Sequence, residues 1–356
     1  GLFTQAGGNP ANYIAKWDGS SWSALGSGVD DRVNAIVSFS NALYVAGDFQ
    51  NAGGSTASRF AKWDGTSWSA MASNSHIQGP AHFFCVHNGD LYAAGSAGGS
   101  SASSVAKWDG SVWTLVGSFD NRIYSLVVYN GELYAGGQFT TVNNTTANRM
   151  AKYNGTSWSA VSEGLNNSVL CMKVYGGALY AGGAFNSLAV TSLMLTNIAK
   201  WDGTNWAAVS GGCNDWVFGL ETYHGRLYAC GVFITAGGTS ANRIASWDNF
   251  SWNNLGSGID NNCFSLGVYN DDLFAAGTFT QAGGSSATKI AKWHEGTLGL
   301  NTVETNETKF DVYPVPANES ITISTDRPAL YALSNVLGQT IEEFAVEGSK
   351  IITTTN

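Results

Sequence analysis

Apolar and polar positions alternate in short runs along residues 1–300, and the runs are separated by turns rich in glycine and asparagine. Ile123-Tyr124-Ser125-Leu126-Val127-Val128-Tyr129 reads as a strand, and Asn130-Gly131 supplies the two positive-φ residues of a type I′ hairpin. Leu133 to Phe139 reads as the returning strand. A polar loop over Thr140 to Asn148 leads to a third strand, Met150 to Tyr153. Asn154-Gly155 predicts a second tight turn, and a fourth strand carries Trp158. No stretch sustains a period of 3.6 residues, so the chain is predicted to be all-β.

Two signatures repeat. Trp17-Asp18-Gly19 recurs at residues 63, 108, 153 (as Tyr-Asn-Gly), 201, 247 (as Trp-Asp-Asn) and 293 (as Trp-His-Glu), at spacings of 46, 45, 45, 48, 46 and 46. A second Trp follows in six units: Trp22, Trp68, Trp113, Trp158, Trp206 and Trp252. Before each third strand after the first lies a run such as Leu133-Tyr134-Ala135-Gly136-Gly137. Four strands in about 46 residues is the length of a propeller blade. Gly1 to Gly8 matches Gly277 to Gly284, so the chain opens inside a unit. The pattern predicts a β-propeller of four-stranded blades over residues 1–300. Seven blades are expected, the first without its innermost strand, with the fourth-strand Trp in the core of each.

Composition narrows the function classes. Charged residues are 12% of the chain and hydrophobic ones 44%, where an ordinary soluble domain carries roughly 25% charged. Sheets buried on both faces, as in stacked blades, need few charges. Seventeen Lys+Arg against 26 Asp+Glu give a net charge of −9, which argues against a nucleic-acid partner. No apolar run approaches the roughly 18 residues of a membrane helix. The five cysteines form no C-x-x-C pair, and their odd number leaves at least one unpaired. Buried thiols are expected.

The repeat pattern stops near Leu300. Residues 301–309 read as a linker, and alternating segments from Phe310 onward predict a partial β-sandwich over 310–356. Val312-Tyr313-Pro314-Val315-Pro316-Ala317-Asn318, Ile321-Thr322-Ile323 and Leu330 to Ile341 resemble the C-terminal sorting domain of type IX secretion substrates of the Bacteroidetes, in truncated form. The resemblance implies the type IX machinery as a partner through 310–356, and a location outside the cell or on its outer surface. The A-K-W-D-G-x-x-W and L-Y-A-G-G-x-F runs resemble secreted kelch-like propellers and the propeller units of cortical-marker proteins. That implies a fold and an extracellular setting and fixes no chemistry.

Candidate ligand-binding residues lie in the longer loops, which share one face. Between the fourth strand of one unit and the first of the next stand Asp30-Asp31, Asp120-Asn121, Asn166-Asn167, Asn214-Asp215 and Asp260-Asn261. Rings of such oxygens suit Ca²⁺ or a hydroxyl-rich ligand; the same residues also form Asx turns on their own backbone. Trp216 follows one pair and would add an aromatic platform. Arg59, Arg149, Arg243 and Lys289 share one position and are expected to pair with the Asx carboxylates. The longest inner loop, Leu188 to Leu195, is apolar, which marks Leu193 and Met194 as partner-docking candidates. No catalytic motif appears, and the five His show no metal spacing. The reading is a surface or secreted module binding a glycan or protein, without a resident cofactor. The alternative is a polysaccharide hydrolase or lyase using acids such as Glu132, Glu163, Glu221 or Glu295.

Overall fold

The computed structural model describes residues 1–98, 101–287 and 289–293, and the backbone of five strands between residues 310 and 353. His294, Glu295, the 301–309 linker and Pro314 to Asn318 lie outside the described residues. All regular structure among the described residues is β-strand. The chain divides into two compact units, Gly1–Glu295 and Gly296–Asn356.

The first unit is a succession of antiparallel sheets built as the repeat predicts. Each blade runs outward from an innermost strand. The six innermost strands are Val33–Phe39, Ala81–His87, Ile123–Tyr129, Val169–Tyr175, Val217–Tyr223 and Cys263–Tyr269. Each of the first five contacts the innermost strand of the next blade. In the third blade Ile123–Tyr129 pairs with Glu132–Gly137, then Met150–Tyr153, then Trp158–Ala160. Asn130 and Gly131 have φ of 49° and 74°, the turn that their sequence demands.

Among the described residues six blades are present rather than seven. The first unit of the repeat contributes two two-stranded hairpins, Gln5–Ala6 with Asn9–Pro10 and Ala15–Trp17 with Trp22–Ala24, and no innermost pair. Five blades have four strands; the sixth has three among the described residues. The fourth-strand Trp is core in four blades, where it packs on the preceding one. Trp22, in the isolated hairpin, is instead 40% exposed.

The core lies between the sheets. Tyr175, Tyr180 and Ile198 of the fourth blade pack against Val217, Leu220, Leu227 and Trp247 of the fifth. All five cysteines are free. Burial pushes the thiols of Cys171, Cys213 and Cys230 far up, so they stay protonated and inert.

The turn aspartates give the fold an acid limit. Asp248 accepts the backbone N–H groups of Phe250 and Ser251, at 2.9 and 2.8 Å, and these bonds lower its pKa to about 2. Asp18, Asp64, Asp109 and Asp202 are lowered by the same turn geometry. A folded value below the unfolded one of about 4 stabilises the fold above that pH and ceases to do so as pH falls toward 2. The urea midpoint should therefore hold steady from pH 7 to 5 and drop below pH 4. Asp248→Asn, which keeps an acceptor as Asn154 does, should flatten part of that drop; an unchanged acid profile would exclude this source.

The second unit contains the strands Phe310–Tyr313, Ser320–Thr325, Ala329–Ser334, Thr340–Val346 and Ser349–Thr353. They form a three-stranded and a two-stranded antiparallel sheet.

Candidate functional site at the channel mouth

One irregularity recurs in every innermost strand. The ladder register slips by one residue next to the last glycine of the second strand, as between Val217 and Gly219 opposite Gly231 and Cys230. The residue left over is Asn34, His82, Tyr124, Leu170, Phe218 or Phe264 in the successive blades. A bulge re-aims a side chain away from the sheet. None of these six side chains is buried, although the residue before each is.

The bulge residues of neighbouring blades converge. Asn34, His82 and Tyr124 line one cavity of about 650 Å³, together with Phe83, Ser103 and Arg122. On other blades Phe218 lies 5.6 Å from Phe264 and 6.2 Å from Trp216, ring centre to ring centre. The mouth thus has a cationic, polar sector and an aromatic one. In the first sector Arg32 lies 3.9 Å from Asp48, and Asn34 donates to the same carboxylate at 3.3 Å. Tyr124 donates to Gln138 at 3.2 Å. Arg122 is exposed and makes no ion pair among the described residues. Partial desolvation by the cavity wall lowers the pKa of the otherwise exposed His82; Asp48 opposes this, and Arg122 and Arg32 add to it. His82 is therefore a neutral imidazole at pH 7, offering one donor and one acceptor.

The sequence-predicted Asx pairs stand behind this mouth and shape it. The first member of each staples the neighbouring loop. Asp30 accepts from the N–H groups of Gln50 and Asn51 at 2.8 and 2.9 Å. Asp120, Asn166, Asn214 and Asp260 do the same for Thr140-Thr141, Asn186-Ser187, Ile234-Thr235 and Thr280-Gln281. The second member, Asp31, Asn121, Asn167, Asp215 or Asn261, accepts from the N–H of the next residue. That next residue is Arg32, Arg122, Ser168, Trp216 or Asn262, so the pairs present the variable rim. Among the described residues no three His, Cys, Asp or Glu side chains gather as a metal site.

Other candidates fall elsewhere. Arg149 and Arg243 do not meet the Asx carboxylates. They sit at φ of 66° and 70° and donate to the backbone oxygens of Gln138 and Ile259. Glu132 pairs with Lys152 at 2.8 Å, and Glu221 with Lys173. Glu163 accepts from Val190, Thr191 and the Thr191 hydroxyl, pinning the long loop. Within that loop Leu188 and Leu195 are core, while Leu193 and Met194 are 47% and 62% exposed.

Residues 130–157 match the family described as "Domain of unknown function (DUF5122) beta-propeller". The described repeats form a β-propeller. No curated protein matches the chain. Among solved structures it is similar to the computationally designed Ika8 protein, at 11% identity and a TM-score of 0.46, over 88% of this chain and 86% of that one. An ancestral GH74 enzyme shares 13% identity at TM-score 0.48, over 90% and 47% of the two chains. The propeller domain of the trilobed protease of Pyrococcus furiosus shares 8% at 0.43, over 91% and 97%.

The six bulge residues escape a reading by motif, because they lack a common residue type. Their signal is positional. Each stands 13 residues before the last glycine of the Leu-Tyr-Ala run, next to a buried apolar residue: Val33, Ala81, Ile123, Val169, Val217 or Cys263. A position that varies freely inside a constant frame marks the presented surface of a scaffold.

Proposed function

We propose that this propeller is a non-catalytic binding module that takes a glycan across its channel mouth. The observation that carries the reading is the bulge in every innermost strand. It re-aims six side chains at the mouth, among them Phe218 and Phe264 beside Trp216 on one side, and His82 and Tyr124 beside Arg122 and Arg32 on the other. Exposed aromatic faces suit the apolar faces of sugar rings, and a guanidinium without an ion pair suits a carboxylate. A saccharide bearing uronic acids would use both sectors. The likeness of residues 310–345 to type IX sorting domains supports export by that route and display outside the cell. The low charge and the kelch-like pattern are compatible with that setting.

A glycan array of acidic and neutral polysaccharides, run beside a turnover assay, tests this. Trp216→Ala with Phe218→Ala should weaken every bound glycan by about tenfold or more, near 1.4 kcal/mol. Arg122→Ala should weaken acidic glycans alone. Cleavage of any polysaccharide would favour the hydrolase or lyase reading instead.

A further inference from the structure

Two fixed positions meet wherever one blade packs on the next. One is the residue before the last glycine of a second strand. The other is the first residue of the next blade's innermost strand. Ala46 shares a core with Ala81 in this way, and Ala94 with Ile123. A Cβ on Gly136 would stand 3.2 Å from the Cβ of Val169, and one on Gly182 would stand 3.1 Å from the Cβ of Val217. Between the fifth and sixth blades the two positions are Cys230 and Cys263. Both are fully buried in one core cluster, and the strands that carry them, Arg226–Gly231 and Cys263–Tyr269, are in contact. Disulfides hold Cβ atoms about 3.5–4.5 Å apart, and the spacings of the two preceding interfaces lie just inside that distance.

Gly219 makes room for the two sulfurs. It stands opposite Cys230 in the ladder and carries no side chain, where the fourth blade has Cys171 opposite Gly182. A Cβ on Gly219 would lie 3.0 Å from Cys230 Sγ and 3.4 Å from the Cα of Ser265. Cys263 Sγ donates to the oxygen of that same Ser265 at 3.8 Å. Both sulfurs thus turn to one stretch of the sixth blade's innermost strand. Phe264 follows Cys263, and its ring lies 5.6 Å from Phe218 of the fifth blade. A covalent link here would fix the pair of blades that carries the aromatic sector of the mouth.

We propose that Cys230 and Cys263 form a disulfide that clamps the fifth blade to the sixth. One cysteine thiolate attacks a sulfur of a small-molecule disulfide, releases one small thiolate and leaves a mixed disulfide on the chain. The other cysteine thiolate attacks the chain sulfur of that mixed disulfide and releases the second small thiolate. The two cysteines lose two protons and two electrons, and the small disulfide is reduced to two thiols. In the closed fold burial, helped by the neighbouring Cys263 thiol, holds Cys230 protonated, so the exchange is completed as the blades close. Such bonds persist outside the reducing cytosol, which is the setting proposed above.

The full chain, refolded from urea in oxidised or in reduced glutathione, tests this. The oxidised monomer should be lighter by two hydrogen atoms, and peptide mapping without reductant should link the peptides of Cys230 and Cys263. Its melting temperature should exceed that of the reduced chain by about 5 °C or more. The double variant Cys230→Gly, Cys263→Val installs the pair that joins the fourth and fifth blades, Gly182 with Val217. It should fold and melt at one temperature in both buffers. The proposal fails if the chain refolded in oxidised glutathione keeps all five thiols open to alkylation in denaturant. It also fails if mapping links a different pair of cysteines, or if the oxidised and reduced chains melt together.

Discussion

Trp158→Ala should lower the stability of the propeller by about 3–5 kcal/mol, the range for removing a buried large aromatic. Trp158 is buried, and its ring lies 5.1 Å from Phe119 and 5.2 Å from Tyr153. Its indole N–H donates to Val116 O of the preceding blade at 2.8 Å. The substitution thus opens a cavity between two sheets and leaves a carbonyl without its partner. Trp22→Ala makes the comparison, since Trp22 holds the same place in the isolated hairpin and is half-exposed. Chemical denaturation should separate the two by more than 2 kcal/mol, about the difference between core and surface truncations. A loss below about 1 kcal/mol for Trp158→Ala would remove it from the core.

The same two tryptophans show how far the sequence carries the fold. Hairpin turns, strand order and the inter-sheet core follow from local rules that repeat in every unit. Positive φ at Asn130-Gly131 forces the turn, and alternation sets the faces. The burial of a fourth-strand Trp depends on a neighbouring blade, and the local pattern cannot show whether that neighbour is complete. Trp22 has the same sequence context as Trp158 and a different environment, 40% exposed where Trp158 is buried. The blade count fails in the same way, since a Trp-Asp-Gly signature reports an outer hairpin and not a whole sheet.

The site was legible in its frame and hidden in its surface. The Asx pairs are visible because they repeat, and they repeat because each must hold two loop N–H groups and the next residue's N–H. Repetition of that kind tracks backbone geometry, so it led to the scaffold of the mouth. Trp216 was found through its neighbour Asp215. Phe218, Phe264, His82 and Tyr124 were not, because a bulge shifts the alternation by one and places them where a regular strand would put the opposite face.

Gly231→Ala should couple the stability of the fold to the mouth of the channel. Gly231 has ordinary extended backbone, so its need for glycine is one of space. A methyl group there would stand 2.0 Å from Trp216 O and 3.1 Å from the Cα of Val217. That oxygen also accepts the Val232 N–H at 3.1 Å. It belongs to the backbone of the bulge, which cannot yield without moving Trp216 and Phe218. Overpacking against fixed backbone costs about 1–3 kcal/mol, and glycan binding through the aromatic sector should fall with it. Gly225→Ala is the control. It lies in the opposite hairpin turn at φ 71°, with nothing within 4 Å of the added carbon. It should cost about 1–2 kcal/mol through left-handed strain alone and leave binding intact. Urea midpoints and glycan affinities on both variants decide the matter. Equal affinities would mean that the close approach of Gly231 to the Trp216 carbonyl does not hold the aromatic rim in place.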